Sequence, residues 1–342
     1  MTQNTKMRRE IDEIPEAVDR LLTLGAADIA RVAAVARELD PAFLTTVARG
    51  SSDHVCTYVK YASELLLGVP VASVGPSVAS VYDARLNLNR GLSLAVSQSG
   101  QSPDIVAMTR SAGRDGALTV ALTNDATSPL ARLSAQSIDI QAGPELSVAA
   151  TKTFVTSAVA GLWLLAEWKQ DAELLAAIRA LPGQLASAAR INWPEVRDAI
   201  GGQQSLFTLG RGPVVAVSNE AALKFKETCQ LHAESYSSAE VLHGPVSIVG
   251  PGFPVLGFAA GDGAESALAE VADQIASKGA RVFATTAKVQ GATCIDHIRS
   301  DHGLTDPLPL IVSFYSMVEA LATSRGVDPD APRHLKKVTE TV

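Results

Sequence analysis

The chain of 342 residues has little cysteine, few aromatic side chains and no excess of positive charge. Its 3 cysteines, an odd number spread along the sequence, argue against a disulfide framework and favour a reducing compartment. Asp and Glu number 36 against 29 Lys and Arg, which gives a formal net charge of −7. This balance attracts neither nucleic acid nor an anionic membrane, so an anionic small ligand would need a local pocket of cations or N–H groups.

Long hydrophobic runs are also missing. The most apolar stretch, Val155–Ala166, has 12 residues, fewer than the roughly 20 that a membrane-spanning helix needs. The N-terminal residues contain no apolar segment of the kind found in secretory signals. We therefore expect a soluble, cytoplasmic protein that binds neither membranes nor nucleic acid.

Motifs for metal, nucleotide and hydrolase chemistry are lacking as well. The 6 histidines form no HExxH pair, and the loose cluster of Cys294, His297 and His302 is interpreted as incidental. No G-x-S-x-G elbow is present, which disfavours a Ser–His–Asp hydrolase. The loop at 97–102 has neither the lysine of a P-loop nor the spacing of a dinucleotide fingerprint. We predict no metal site and no nucleotide site.

What the sequence does contain is an alternation of short apolar runs and helical patterns. Apolar residues make up 47% of a chain that is long enough for about two domains. The predicted strands are Phe43–Ala48, Leu92–Val96, Leu118–Leu122, Ser137–Ile140, Leu206–Leu209, Val255–Phe258 and Arg281–Thr285. Strands alternating with helices at this spacing favour an α/β fold, with parallel sheets covered by helices on both faces.

The pattern occurs twice along the chain. A shift of 162 residues superimposes Arg49-Gly50 on Arg211-Gly212 and Ser97 on Ala259, which favours a duplication over chance similarity. We predict two domains, at 41–170 and 199–326. The remaining segments are expected to be two helices at 1–40, a helical linker at 171–198 broken at Pro182-Gly183, and a loop-like tail at 327–342.

The first copy carries hydroxyl groups that the second copy lacks. Its predicted second strand is followed by Ser97, Gln98 and Ser99, and then by Ser102, which precedes Pro103 and fits a helix N-cap. A polar loop that leads into a helix N-terminus offers uncharged donors to a phosphate monoester. Ser51 and Ser52 follow Gly50 in a turn of the same kind. For both turns, simple helix capping is the alternative interpretation.

The second copy carries the residues suited to proton transfer. Lys224 and Glu227 lie three apart on a predicted helix, and Glu220 lies four residues before Lys224, so a surface ion pair is the simpler interpretation. His243 lies outside any predicted helix, beside Gly244. A glutamate and a histidine that converge on a sugar can act as carbon acid–base and ring-opening catalysts.

Taken in order, several motifs resemble one known family. They are EIDEIP at 10–15, SQSGQS at 97–102, E-x-x-VAATK at 145–152, LGRG at 209–212, ALKFKE at 222–227 with HGP at 243–245, and PRHLKKVTETV at 332–342. The chain resembles the sugar isomerase (SIS) domain family over nearly its whole length. It is most similar to the isomerase half of glutamine–fructose-6-phosphate aminotransferase. The resemblance implies two tandem three-layer αβα SIS domains with flavodoxin-like parallel sheets.

The resemblance also implies a role for individual residues. Glu227 matches the base that moves a proton between C1 and C2 of the sugar, and Lys224 matches the neighbour that assists it. His243 matches the ring-opening histidine, which is shared across the interface of a homodimer. Lys337 matches a tail lysine that contacts the open-chain sugar and can form an imine. The matching substrate-binding positions are Ser51, Ser52, Ser97, Gln98, Ser99 and Ser102 for the phosphate, and Val148 and Ala149 for the sugar.

Two departures from the aminotransferase pattern direct the functional prediction. The sequence contains no glutaminase domain, and Ala150 stands where the aminotransferase has a sugar-contacting serine. The motifs are closer to stand-alone relatives, for which the implied reaction converts glucosamine 6-phosphate and water to fructose 6-phosphate and ammonia without metal or redox cofactor. The alternatives are another isomerase or ammonia-dependent synthase of this fold, a deglycase of glycated amino-acid 6-phosphates, and a non-catalytic sugar-phosphate sensor.

Overall fold

Three helices precede the first strand of the computed structural model, which describes residues 5–337. They are α1 (Lys6–Asp12), α2 (Ile14–Leu24) and α3 (Ala26–Leu39). The prediction of two helices in this segment is therefore wrong, because the chain breaks at Glu13 and again at Gly25. The described residues divide into two compact units. The first unit contains 16–145, 152–179 and 336–337, and the second contains 5–15, 146–151 and 180–335.

The first unit is built on a five-stranded sheet in which every pairing is parallel. Its strand order is β2-β1-β3-β4-β5, the flavodoxin-like order. Helices α3, α4 and α8 pack together, and α6 packs on α5 and α7. The elements are β1 (Phe43–Val47), α4 (Ser51–Leu66), β2 (Val71–Ser73), α5 (Ser77–Ser80), β3 (Gly91–Val96), α6 (Pro103–Arg114), β4 (Leu118–Thr123), α7 (Pro129–Leu133), β5 (Gln136–Asp139) and α8 (Lys152–Lys169).

Helix α8 contains the most apolar stretch of the sequence. All residues from Lys152 to Ala166 are buried, as expected for a helix that is apolar on every side. Strand β3 is likewise buried along its whole length, which explains why it appears in the sequence as a continuous apolar run. Among the described residues no helix is long and apolar enough to cross a membrane.

Two helices separate the sheets in sequence, α9 (Ala172–Ala188) and α10 (Pro194–Ile200). The predicted break at Pro182-Gly183 is wrong, because α9 continues through Pro182. Proline lacks the N–H that an interior helical position donates, but the surrounding residues keep the helix intact: Leu181 and Leu185 are both fully buried.

The second unit repeats the same topology. Its strand order, β10-β9-β8-β6-β7, is the flavodoxin-like order in reverse, and its pairings are parallel. Helices α1, α10 and α11 all pack against α13, which is buried along most of its length. The elements are β6 (Ser205–Gly210), α11 (Val215–Cys229), β7 (His232–Ser237), β8 (Pro254–Gly257), α12 (Glu265–Ala276), β9 (Arg281–Ala284), β10 (Thr293–Cys294) and α13 (Pro307–Ser324).

The two sheets confirm the predicted α/β fold class. Each of the seven predicted strands is present, with its ends within one residue. Three strands were not predicted, β2, β7 and β10, and all three lie at sheet edges. Edge strands are only partly covered, so they do not produce a continuous apolar run. The domain boundaries at 41–170 and 199–326 remain predictions, and residues 338–342 of the predicted tail lie outside the described part of the chain.

Candidate functional site

A cavity of about 320 Å³ lies at the carboxyl ends of β1 and β3 in the first unit. The order of the strands reverses between these two neighbours, and ligands of open α/β sheets bind at such a switch point. The cavity is lined by Arg49, Gly50, Ser52, Val96, Ser97, Gln98, Ser99, Ser102, Ile105 and Lys337. Five of the six predicted phosphate-binding residues are therefore brought together. Ser51, the sixth, does not belong to the lining that the described residues form.

The loop after β3 is shaped by its own serines. The Oγ of Ser97 accepts the Gly100 N–H at 3.2 Å, and the Oγ of Ser99 accepts the Gln101 N–H at 3.3 Å. Each hydroxyl oxygen thus acts as an acceptor within the loop, and its hydrogen can still be donated to a ligand. Gly100 has a φ of +60°, and a Cβ there would lie 2.2 Å from the Oγ of Ser128. Only glycine fits this turn.

Two helices begin at the cavity. Helix α4 starts at Ser51, directly after Gly50, whose φ is +56°. Helix α6 starts at Pro103 with Ser102 in the N-cap position, as predicted, but the Ser102 side chain makes no capping hydrogen bond. Its hydroxyl lines the cavity instead. First-turn N–H groups and the positive end of each helix dipole favour an anion here.

Arg49 is a cavity residue that the sequence analysis did not identify. Its Nε and one terminal nitrogen both lie 2.9 Å from the same oxygen, Oδ2, of Asp104. The Asp104 side chain is fully buried, whereas the Arg49 side chain is 54% exposed. The repeated Arg-Gly pair was the available signal, but the pairing with Asp104, 55 residues further along the chain, was not visible in the sequence. The cavity wall is therefore not built from uncharged donors alone.

Lys337, the predicted tail lysine, also lines this cavity. Its Nζ lies 2.7 Å from Oε2 of Glu145, whose side chain is fully buried. The same carboxylate accepts hydrogen bonds from the N–H and the hydroxyl of Thr153, at 3.0 and 2.7 Å. Glu145 thus anchors the lysine to the start of α8. Glu145 is the first residue of the E-x-x-VAATK motif. The sequence analysis gave no role to this glutamate.

The second unit contains a buried ionic cluster on α11. The Nζ of Lys224 lies 2.6 Å from Oε2 of Glu227 and 3.1 Å from Oε1 of Glu220. Lys224 and Glu220 are fully buried, and the hydroxyl of Tyr315 on α13 donates to Oε1 of Glu220 at 3.1 Å. The simpler interpretation, a surface ion pair, is wrong, because α11 is covered by α13 on this side.

This cluster fixes the charge of Lys224. Burial alone would lower the pKa of the ammonium, but the charges and hydrogen bonds of Glu220 and Glu227 outweigh it and raise that pKa above its usual value. The protonated form of Lys224 is therefore favoured. Glu227, whose carboxylate lies 2.6 Å from that nitrogen, keeps 19% of its side-chain surface exposed. Glu227 is the member of the cluster that can reach a ligand.

His243 and the segment around Val148 also lie in the second unit. His243 is exposed and ends a 3₁₀ segment at Glu240–His243, where the sequence had predicted a loop. The backbone before Val148 is held by Glu10, whose carboxylate accepts the N–H groups of Leu146 and Ser147. The EIDEIP motif thus includes a residue that fixes this segment.

In the second sheet, protein groups hydrogen-bond to one another at the carboxyl ends of β8 and β9. The Arg299 guanidinium donates to the carbonyl oxygens of Ala259 and Thr285, at 2.7 and 2.8 Å, and to the carboxylates of Glu265 and Asp306. Ala259 corresponds to Ser97 in the serine loop of the first copy. In the second copy, the residue at the position of Ser97 therefore bonds to an arginine of the chain itself.

Comparisons with known proteins match this duplicated architecture. The model of the SIS domain family matches residues 44–167 and 200–323. A glutamine–fructose-6-phosphate aminotransferase (isomerizing) of Sulfurisphaera tokodaii is 32% identical over 97% of this chain and 56% of its own length. The chain thus spans little more than half of such curated relatives.

Solved structures agree with this result. A crystal structure from Silicibacter pomeroyi DSS-3, provisionally named a phosphosugar isomerase, is 76% identical and covers 96% of this chain and 100% of that one, with a TM-score of 0.93. A glucosamine-6-phosphate deaminase of Thermotoga maritima, 21% identical, shares the fold with a TM-score of 0.81 over 98% and 100% of the two chains. With two matched copies on two parallel sheets, the chain belongs to the SIS domain family.

Proposed function

We propose that the protein is an amino-sugar-phosphate isomerase and deaminase, which converts glucosamine 6-phosphate and water to fructose 6-phosphate and ammonia. The observation that carries this proposal is the carboxylate of Glu227, held 2.6 Å from a fully buried ammonium and still partly exposed. A carboxylate held in one orientation is a group that can move a proton between adjacent carbons of a sugar.

The serine-lined cavity of the first unit supplies the other requirement, a site for the phosphate. Hydroxyl groups, the Gln98 amide and two helix N-termini offer hydrogen-bond donors to an anion at a sheet switch point. Ser51, Val148 and Ala149 are proposed to complete the binding of the substrate. Phosphate recognition fixes one end of the sugar, which reduces the entropy that the reaction has to overcome.

The reaction follows from the proposed roles of these residues. His243, in a homodimer contributed by the neighbouring subunit, assists opening of the pyranose to the free aldehyde. Glu227 then removes the proton from C2 and returns it to C1, while Lys224 stabilises the charge that develops on the adjacent oxygen or nitrogen. The carbonyl is thereby transferred to C2 as an iminium ion. Water adds to it and ammonia leaves, which gives the ketose.

Lys337 is proposed to contact the open-chain sugar, and its amine can form an imine with the ketose carbonyl. Its position on the cavity wall supports this role. The names of relatives support the substrate class: aminotransferases that act on fructose 6-phosphate, a glucosamine-6-phosphate deaminase, and a tagatose-6-phosphate ketose/aldose isomerase that shares the fold.

The test is to incubate the purified protein with glucosamine 6-phosphate and to measure ammonia and fructose 6-phosphate together. Equal release of both products supports the proposal. Conversion of tagatose 6-phosphate or another ketose phosphate without ammonia release would make the protein an isomerase of the same fold with another substrate. Binding of the sugar phosphate with no turnover of any such compound would make it a sensor and overturn the catalytic assignment.

A further inference from the structure

The Arg49–Asp104 pair is built differently from an ordinary surface ion pair. Asp104 is fully buried and belongs to the first turn of α6, where its other oxygen, Oδ1, accepts the Ile105 N–H at 2.8 Å. Arg49 approaches it with two nitrogens, both at 2.9 Å from Oδ2. A planar guanidinium held at two points has little freedom to rotate. Arg49 is thus fixed in the wall of the cavity.

The part of the guanidinium not used by Asp104 is available to a ligand. Arginine has five N–H donors in a fixed arrangement, and the Nε and one terminal nitrogen point to the carboxylate. The other terminal nitrogen carries two further donors. Arg49 lines the cavity and Asp104 does not, so an anion in the cavity meets the cation of the pair and is kept from the carboxylate.

The duplication provides an independent comparison. Arg49 corresponds to Arg211 in the second copy, but the position of Asp104 is occupied there by Ser266. Ser266 has no carboxylate with which to hold an arginine. The buried aspartate is therefore present in the copy that has the serine loop, and it is absent from the copy in which Arg299 donates to Ala259, the counterpart of Ser97.

We infer that Arg49, positioned by Asp104, determines the specificity of the cavity for a doubly charged phosphate ester. This inference rests on the proposed function only in so far as the cavity binds the phosphate of a sugar. Serine hydroxyls and main-chain N–H groups favour the higher charge only through charge–dipole attraction, whereas a fixed cation adds a charge–charge attraction that doubles from a singly to a doubly charged anion. The cavity accordingly selects phosphate esters over sulfate esters and over neutral sugars.

The experiment measures binding rather than turnover. Glucitol 6-phosphate cannot isomerise, glucitol 6-sulfate is its singly charged analogue, and glucitol is neutral; titration calorimetry gives the affinity of each. The wild-type protein is expected to bind the phosphate at least tenfold more tightly than the sulfate. In Arg49→Gln the affinity for the phosphate falls about 10- to 100-fold, the range of one lost charge-assisted hydrogen bond. The affinity for the sulfate falls less, so the preference shrinks.

Two further variants separate specificity from folding. Arg49→Gln removes the cation that faces the buried Asp104, so the double variant with Asp104→Asn restores a neutral pair and is expected to recover stability but not phosphate affinity. Arg85→Gln is the matched control: Arg85 holds another buried aspartate, Asp115, at 2.7 Å in the same unit, and it does not line this cavity.

Three results would overturn the inference. Unchanged phosphate affinity and preference in a folded Arg49→Gln or double variant overturns the inference and leaves the proposed function standing. An equal loss in Arg85→Gln also overturns it, because the effect would then be a general loss of structure. Failure of the wild-type protein to bind glucitol 6-phosphate removes the phosphate site and with it the proposed function.

Discussion

Replacing Glu227 by glutamine tests the proposed proton transfer most directly, because it removes the base and keeps the shape of the side chain. The structure predicts that the variant folds. Lys224 retains Glu220 as a partner at 3.1 Å, and the glutamine carbonyl can accept the hydrogen bond that Lys224 donates. A charge-assisted hydrogen bond is replaced by a neutral one, which costs about 1 kcal/mol and lowers Tm by roughly 1–2 °C for a chain of this size.

The effect on turnover is much larger. An amide cannot take the C2 proton, and loss of a positioned general base slows proton transfer by about 10²- to 10⁴-fold, equivalent to roughly 3–5 kcal/mol in the barrier. Affinity for glucitol 6-phosphate should change less than about twofold, because the proposed phosphate site belongs to the first unit and Glu227 to the second. The variant therefore separates kcat from binding.

The assay follows the reaction in D₂O by NMR, which reports both product formation and deuterium at C1 of the product. The control is Glu265→Gln, since Glu265 is another carboxylate of the second unit held by cations, Lys288 at 2.7 Å and Arg299 at 2.9 Å. It should retain activity. If Glu227→Gln forms product and incorporates deuterium at the wild-type rate, the base is a different group and the mechanism is refuted.

Three further predictions follow from local structure. Gly100→Ala should weaken glucitol 6-phosphate binding at least tenfold, because its Cβ would collide with Ser128; Gly113→Ala, inside α6, should not. Burial raises the pKa of Cys229 to about 12, so a thiol reagent should modify one of the 3 cysteines, the exposed Cys294, in the native protein and all three in denaturant. Burial opposes ionisation of Asp273, but N–H groups of residues 290–292 outweigh it and lower the pKa of this carboxyl. The stability advantage of wild type over Asp273→Asn, measured by thermal unfolding, should be present at pH 7, begin to fall near pH 4 and be lost as the pH drops through the lowered pKa of the folded protein.

Much of the fold could be predicted from local sequence. Buried parallel strands such as β3 are continuous apolar runs, and the spacing between them leaves room for a helix. The ends of helices and the edge strands were harder to predict. Pro182 does not end α9, because packing of the residues around it offsets the missing hydrogen bond. The edge strand β7 contains His232, Glu234 and Ser235, and its pattern gave no strand signal.

The candidate site likewise contains residues that the sequence identified and residues that it did not. The serines and Gln98 could be identified because a polar loop that joins a strand to a helix N-terminus has a local signature. Arg49 could not, because its role depends on Asp104, 55 residues away, and no local pattern reports such a pair. Lys224 and Glu227 were visible as neighbours on a helix, but the sequence could not tell a surface pair from a buried one.

By itself, the sequence determined the α/β class, the duplication and the types of residue available for chemistry, since these depend on periodicity and on residue identity. Only the tertiary structure determines which of these residues lie close together and which are buried. It covers one side of α11 with α13 and so buries Lys224 between Glu220 and Glu227. It also brings Arg299 to Ala259, the counterpart of Ser97, and leaves a cavity beside Ser97 in the first unit. Burial and long-range pairing set these outcomes, and both arise only when distant parts of the chain pack together.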